Sequence, residues 1–542
     1  MNGERVTNRR DAETPQVSRV FFSAKALSLC VSASKNPHVD AGQNRCEKSR
    51  LKNAAAIALL SLLALLFVAS PASAKIIHAS PQGNDNNSGS LSQPVATPQR
   101  ALEMAAPGDT IYFRAGRYTI KRFLWVGTAN LTISSYPGEK AAIEGGTTED
   151  QNNPICIFII VADNVTLADL EIQGGAYYGV KVDLDSNKTT NGVTIRRCHI
   201  HHTGRDAIKT FNADNLLIED CEIAFSGARD ASNAEGIDSI ASVGVTIRRC
   251  YIHDIPTNGL YLKGGARDGL VERNRIERVG HAGILLGQDT DLEYMRDGSR
   301  FEAINCAARN NIIVNAGAAG LGTYSGSNVR FENNTVFDVA RQYQAAIWIV
   351  FNSREVPSEK ISFKNNIAVV TSERPMLFMR DMADQIICDS NIYYNARNVY
   401  QFKRELTLGR EQLDIWNFAD WKRQGVDARS LTADPLLDSR DFYRPRQSSP
   451  AIDRGEALTE VKTDYAGNPR PQGKAYDIGA HEGAASARAA TDEAATVESE
   501  SSHALALAMW GGVLAVAVAA GLLMSSQSLR AALLRRVKTR SM

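Results

Sequence analysis

Across the central part of this chain no stretch places apolar residues every three to four positions, which excludes amphipathic helical repeats there. Cys-x-x-Cys pairs are also missing. Of the 8 cysteines, Cys30 and Cys46 fall in the N-terminal extension and Cys156, Cys306 and Cys388 stand alone, so neither a metal cluster nor a disulfide framework is written in them. No basic run is interleaved with aromatics, and 61 Lys and Arg against 60 Asp and Glu leave a formal net charge of +1, which argues against nucleic acid as a partner.

What is present is a repeat. An apolar-x-apolar phrase, followed by Cys or Asn and then x-Ile, recurs about every two dozen residues from about 165 to 395. Its copies include Val193-Thr-Ile-Arg-Arg-Cys198-His-Ile200, Leu216-Leu-Ile-Glu-Asp-Cys221-Glu-Ile223 and Val245-Thr-Ile-Arg-Arg-Cys250-Tyr-Ile252, and further copies carry Asn274, Asn311, Asn334, Asn366 and Asn391. Between them sits a second phrase, a small residue and then apolar-x-apolar, at Gly179, Ala207, Gly236, Gly259, Gly283, Gly320 and Ala346. A period in the range of about 20 to 50 residues marks a solenoid, and alternating strand phrases with Asn and Gly at the bends predict a parallel β-helix. Forty glycines suit a fold made of tight bends.

In such a coil each side chain lies over its counterpart in the next rung, about 4.8 Å away, so columns can be read from the sequence. The column Leu170, Cys198, Cys221, Cys250, Asn274, Asn311, Asn334, Asn366, Asn391 is expected to point inward at a bend. There Asn amides can hydrogen-bond along the stack, and the cysteines continue it as small buried groups.

Both ends carry membrane signals. Ala54 to Ala69 is an apolar run preceded by Lys52 and followed by Ser70-Pro-Ala-Ser-Ala74, the pattern of an export signal with its cleavage site, so residues 1–74 read as an N-terminal extension and signal peptide. Leu505 to Met524 supplies 20 uncharged residues, enough to cross a bilayer core, within a predicted transmembrane helix over 503–525. Arg530, Arg535, Arg536, Lys538 and Arg540 lie in the tail 526–542, which is expected to stay cytoplasmic with the body outside. Residues 483–502, rich in Ala, Ser, Thr and Glu, read as a flexible linker. The body begins with a predicted N-terminal cap over 75–125, where Thr97 as N-cap and Pro98 at the first helical position announce a short helix stopped by Pro107-Gly108. The β-helix is assigned to 126–400 and a C-terminal cap segment to 401–482.

His78-Ala-Ser-Pro-Gln-Gly-Asn-Asp, Thr97-Pro-Gln-Arg-Ala-Leu, Pro107-Gly-Asp-Thr-Ile-Tyr-Phe-Arg-Ala-Gly-Arg-Tyr118 and the rungs resemble the bacterial right-handed parallel β-helix, pectate lyase-like superfamily. Asp434-Pro-Leu436, Ser449-Pro-Ala-Ile-Asp453, Asp464-Tyr-Ala-Gly467 and Asp477-Ile-Gly-Ala-His-Glu482 resemble the closing segment of such proteins. The resemblance runs from about residue 75 to 482. It implies an all-β, right-handed parallel β-helix solenoid, and leaves the substrate open because lyases, hydrolases, epimerases and adhesins share this fold.

Function therefore has to be sought on the outer face. In the second phrase the residue after the small one points in and the next points out. One outward column reads Lys181, Lys209, Asp238, Tyr261, Leu285, Gly322, Trp348, and a second, two residues along, reads Asp183, Phe211, Ile240, Lys263, Gly287, Tyr324, Val350. The position before the small residue gives Tyr178, Asp206, Glu235, Asn258, Ala282, Ala319, Ala345. Asp206, Glu235 and Asp238 are thus expected to crowd together. A hard cation such as Ca²⁺, bound by oxygen ligands, would relieve their repulsion; ordinary ion pairs with the lysine columns are the plainer alternative.

That patch suits β-elimination on a uronate polymer, in which a cation neutralises the sugar carboxylate and a base removes the C5 proton. Lys209 and Lys263 are the candidate bases, a role that the resemblance implies for a basic residue beside Ca²⁺ in lyases of this fold. Lys263 is slightly preferred because Lys263-Gly264-Gly265 leaves room for substrate at the backbone. Tyr261, Tyr324 and Trp348 are candidate sugar-binding surfaces. His199, His201, His202 and His253 lie on the other strand, with His201 and His253 two rungs apart and too distant to share a metal. The expectation is a membrane-tethered polysaccharide lyase acting on an acidic polysaccharide, with a glycoside hydrolase using the same carboxylates, a C5-epimerase with Tyr261 as proton donor, or a non-catalytic binding protein as alternatives.

Overall fold

The computed structural model describes residues 74–183, 188–409 and 411–483. The proposed export signal and the proposed membrane helix lie outside them; no helix among the described residues is long and apolar enough to cross a membrane.

Three sheets of 12 strands each form the body, parallel throughout except for the last pair of the third. The chain visits them in turn, one strand per sheet per coil: Thr194–Arg196 in sheet 1, His199–His201 in sheet 2 and Ile208–Phe211 in sheet 3 make up one such circuit. Ladder pairing begins at Ile76–Ala79, which pairs with Thr110–Phe113. The segment 75–125, read from sequence as a cap, therefore already supplies strands to all three sheets. Within it the short helix Pro98–Met104 forms as its signals predict, with the Thr97 side chain accepting from the Arg100 amide and Ala101 buried in the core.

The apolar residues of each phrase stack into columns inside the coil. Ile195, Ile218, Ile247, Val271, Ala308, Phe331 and Phe363 follow one another in sheet 1, and Val180, Ile208, Ile237, Leu260, Ile284, Leu321 and Ile347 in sheet 3. All of them are fully buried. Each large aliphatic side chain so removed from water contributes about 1.5–3 kcal/mol.

The corner between sheets 1 and 2 is built from a two-residue device. Arg197, Asp220, Arg249, Arg273, Asn310, Asn333 and Asn365 adopt φ between +50° and +59°, turning the chain so that the next residue points inward. Those next residues are the expected ladder. Asn311 Oδ1 accepts from the Asn274 backbone and side-chain amides at 3.0 Å, while Asn311 Nδ2 donates to Val271 O at 2.9 Å and to Asn334 Oδ1 at 3.0 Å. Cys198, Cys221 and Cys250 aim their thiols at Leu167, Ile195 and Ile218 carbonyls, the positions that the asparagines reach in later rungs. All six described cysteines are buried and free, as the spacing predicts.

At the far end, Phe402–Leu406 pairs antiparallel with Gln412–Trp416, closing sheet 3, and Trp421 of the helix Phe418–Arg423 stacks on Phe402. The segment beyond does not stay at that end. It runs back along the corner of sheets 1 and 2, where Asn365 and Asn333 bond to Glu456 O and Asp477 O, and Asn310 and Arg273 to Thr463 O and Tyr465 O.

Candidate functional site

Sheet 3 carries the site on its outward face. Lys181, Lys209, Asp238, Tyr261, Leu285, Gly322 and Trp348 are successive Cα partners, so the first column forms in the order read from the sequence. In the second column Phe211, Ile240 and Lys263 are partnered in turn. The position before the small residue closes the cluster. The Glu235 amide donates to Asp206 Oδ1 at 3.0 Å and Asn258 Nδ2 to Glu235 Oε1 at 3.2 Å.

Asp206, Glu235 and Asp238 are brought together as expected: one oxygen from each lies within 4.8 Å of the others, and all three residues are buried. Lys209 joins them. Its ammonium donates to Asp238 Oδ2 and lies 3.5 Å from Asp206 Oδ2. Burial holds the Asp206 carboxyl well above the usual range; the Lys209 charge opposes this, and Asp238 and Glu235 add to it. Burial works against the Lys209 ammonium, but Asp238 and Asp206 outweigh it and raise the lysine above its ordinary value. The cluster thus sets one ammonium against Asp238 and Asp206, while burial favours the neutral form of the Asp206 carboxyl.

Two carboxylate oxygens remain unanswered. Glu235 Oε2 and Asp238 Oδ1 are buried without a hydrogen-bond partner. Orphaned buried acceptors of this kind are rare and call for a ligand, and three convergent carboxylates are the donor set of a hard divalent cation. The residues therefore fit Ca²⁺, with Lys209 as the group that a cation would have to push aside.

Lys263 and Lys181 flank the cluster along the coil axis. Lys263 Nζ sits 4.6 Å from the Tyr261 ring centroid and donates to Asp289 O at 3.4 Å. Lys181, which sequence reasoning placed in the column without singling it out, has its ammonium 5.6 Å from the Tyr178 ring centroid and, among the described residues, no hydrogen-bond or ion-pair partner. Burial lowers its pKa. The signal that could have found it was its place next to Lys209, since two neighbouring lysines with one set of carboxylates leave one ammonium unpaired.

The aromatic candidates are arranged differently from the sequence expectation. Tyr261 is only 4% exposed, packed with Ala282, Leu285 and Ala319, so it presents no open face to a sugar. Tyr324 and Trp348 pack half-buried against that group, and Trp348 stacks on Phe378 at 4.4 Å and 16°. Burial lifts the Tyr261 hydroxyl well above its ordinary pKa, which weighs against it as a proton donor or acceptor open to substrate. His201 and His253 do share a column with Ala224 between them, and no metal-binding cluster of histidines forms among the described residues.

Residues 186–368 match the right handed beta helix region family, and residues 77–251 match the Pel9A-like right handed beta helix region family. Pectate lyase PEL9 of Emericella nidulans is 31% identical over 138 residues, which make up 24% of this chain and 32% of that protein. The chain thus spans about a third of the length of the curated relative it matches. The crystal structure of pectate lyase Pel9A superposes with a TM-score of 0.53 over 76% of this chain and 97% of that one, at 14% identity, a likeness of fold. Repeat, ladder and these matches agree: the chain folds as a right-handed parallel β-helix and is similar to pectate lyases of that fold.

Proposed function

We propose that this protein is a polysaccharide lyase that cleaves a uronate-containing polymer by β-elimination, exported by the segment before Ala74 and tethered by Leu505 to Met524. The observation that carries the reading is the buried carboxylate cluster with two unsatisfied oxygens on the outward face of sheet 3. Asp206, Glu235 and Asp238 would hold Ca²⁺, which when bound supplies charge neutralisation for the sugar carboxylate.

The lysines divide the remaining work. Lys209 is committed to Asp238 and Asp206 and serves as their counter-charge, which makes it a poor proton acceptor. Lys181 is placed as the base, because its ammonium is unpaired and burial favours its neutral form. Lys263, on the opposite flank and without a carboxylate partner, is available to the uronate carboxylate. Gly264 and Gly265, at φ +70° and +80°, turn the chain away directly after it. Tyr324 and Trp348 form the apolar wall farther along the column.

One observation favours a second reading. Burial favours the protonated form of Asp206, and such an acid beside two further carboxyls suits acid-catalysed glycoside hydrolysis. Incubating the full chain with polygalacturonate and alginate, with Ca²⁺ or with chelator, separates the two: Ca²⁺-dependent ultraviolet absorbance from a new C4=C5 double bond is expected. Chain shortening without that absorbance, indifferent to chelator, would establish hydrolysis instead.

A further inference from the structure

The corner between sheets 2 and 3 has two sides. One carries Asp206 and Glu235; the other opens into a cleft of about 690 Å³ lined by His202, Phe225, Pro256, Arg278, Asn315 and Arg341 among others. This volume is in the range of ligand sites. The lining residues come from six consecutive rungs, so the cleft follows the coil axis for roughly 24 Å at the spacing of adjacent strands.

Its lining follows the end of one column of sheet 2. His201, Ala224, His253, Glu277 and Val314 are successive partners in sheet 2, and the residue after each, His202, Phe225, Asp254, Arg278 and Asn315, has φ between +51° and +58°. Asn and Asp tolerate that conformation, whereas a bulky ring in it is an outlier whose strain points to a use. Phe225 is such a ring. It is 44% exposed, stacked on His202 at 4.9 Å and 29°, with His253 edge-on at 5.7 Å. Folding would place a buried or small residue there at lower energy, so a flat apolar face is being held out to solvent.

Donors stand along the same cleft. The Asn315 side-chain amide has no hydrogen-bond partner among the described residues, and the Arg341 guanidinium, on a side chain 53% exposed, approaches Asp338 Oδ2 through Nε at 3.4 Å. A ring face at one end and an amide and a guanidinium fork at the other match a pyranose chain, which offers C–H faces to rings and hydroxyl and carboxylate edges to planar donors.

We infer that this cleft is a second carbohydrate-binding site, taking a strand of the same acidic polysaccharide that the carboxylate cluster acts on. The inference rests on the proposed function for the identity of the polymer. Its consequence is retention: a long chain held on both sides of one corner binds more tightly than either site binds alone, whereas a short oligomer gains nothing.

The test is retardation of the full chain in native gels containing polygalacturonate or alginate, comparing wild type, Asp238→Asn and the double variant Phe225→Asn/Arg341→Ala. Asn suits the left-handed backbone at position 225, so the fold should survive, with thermal unfolding as the check. On the retarding polymer, Asp238→Asn should still be retarded through the cleft, and the cleft variant should bind at least tenfold more weakly than wild type while keeping its turnover of short oligouronates. Equal retardation of wild type and cleft variant would overturn the inference, as would no retardation of wild type by either polymer. A wild type that is retarded yet forms no unsaturated product would instead sink the lyase reading and leave the cleft standing.

Discussion

At the scale of single residues the carboxylate cluster and its three lysines make opposing demands. Asp238→Asn removes one of the orphaned oxygens and should abolish turnover with the β-sheet circular dichroism unchanged. Lys181→Met should do the same, and for wild type kcat/KM should rise with pH and level off below the ordinary lysine pKa of about 10.4, because burial favours the neutral amine. A plateau at or above that value would remove Lys181 as the proton acceptor. Lys209→Met has a different signature. It strips the counter-charge from buried carboxylates, a loss of about 3–5 kcal/mol for a broken buried pair, so the variant should melt lower without cation and recover more than wild type when Ca²⁺ is added.

At the scale of elements the ladder of the first corner is the unit of stability. Asn311 satisfies Asn274, Val271 and Asn334 at once. Asn311→Ala should strand the Asn274 backbone amide and take the side-chain donor from Val271 O, while Asn334 Oδ1 keeps the backbone amide of residue 311; at about 1–3 kcal/mol per stranded group, this is read as a lower midpoint in urea. Cys221→Ser, by contrast, keeps a small donor aimed at Ile195 O and should shift the midpoint far less. The element-level pattern was the legible part of the chain. The inward columns, the Asn and Cys ladder and the first outward column could be listed from the repeat phrase because stacking converts sequence period directly into spatial neighbours.

At the scale of the whole molecule, cation binding and proton release are linked. Burial favours the protonated form of Asp206, which must be ionised to serve as a ligand, so the Ca²⁺-induced rise in Tm should shrink as pH falls and should be accompanied by proton uptake on chelation. An unchanged rise across that range, measured by calorimetry, would remove Asp206 from the ligand set. The closing segment adds a second global term. Arg470 and Glu482 form a fully buried pair at 2.5 Å, and Arg470 also donates to Asn310 Oδ1 at 2.9 Å, tying the tail to the coil. Arg470→Met should cost about 3–5 kcal/mol and expose the segment after residue 434 to proteolysis before the coil itself yields.

The sequence alone determined the solenoid, its period, its inward ladder and the meeting of Asp206, Glu235 and Asp238, because each of these depends only on which residue falls over which in the next rung. Tertiary structure decided the rest. Whether Tyr261 faces sugar or packing depends on apolar neighbours one and two rungs away, Leu285 and Ala319 among them. The pairing of Lys209 with Asp238 rather than solvent, the isolation of Lys181, and the course of the tail back along the first corner all depend on side-chain directions and long-range contacts that no local period encodes. Phe225 shows the division most plainly: its column was computable, but its exposure follows from the left-handed corner that turns it outward, a conformation that an aromatic residue gives no local signal of adopting.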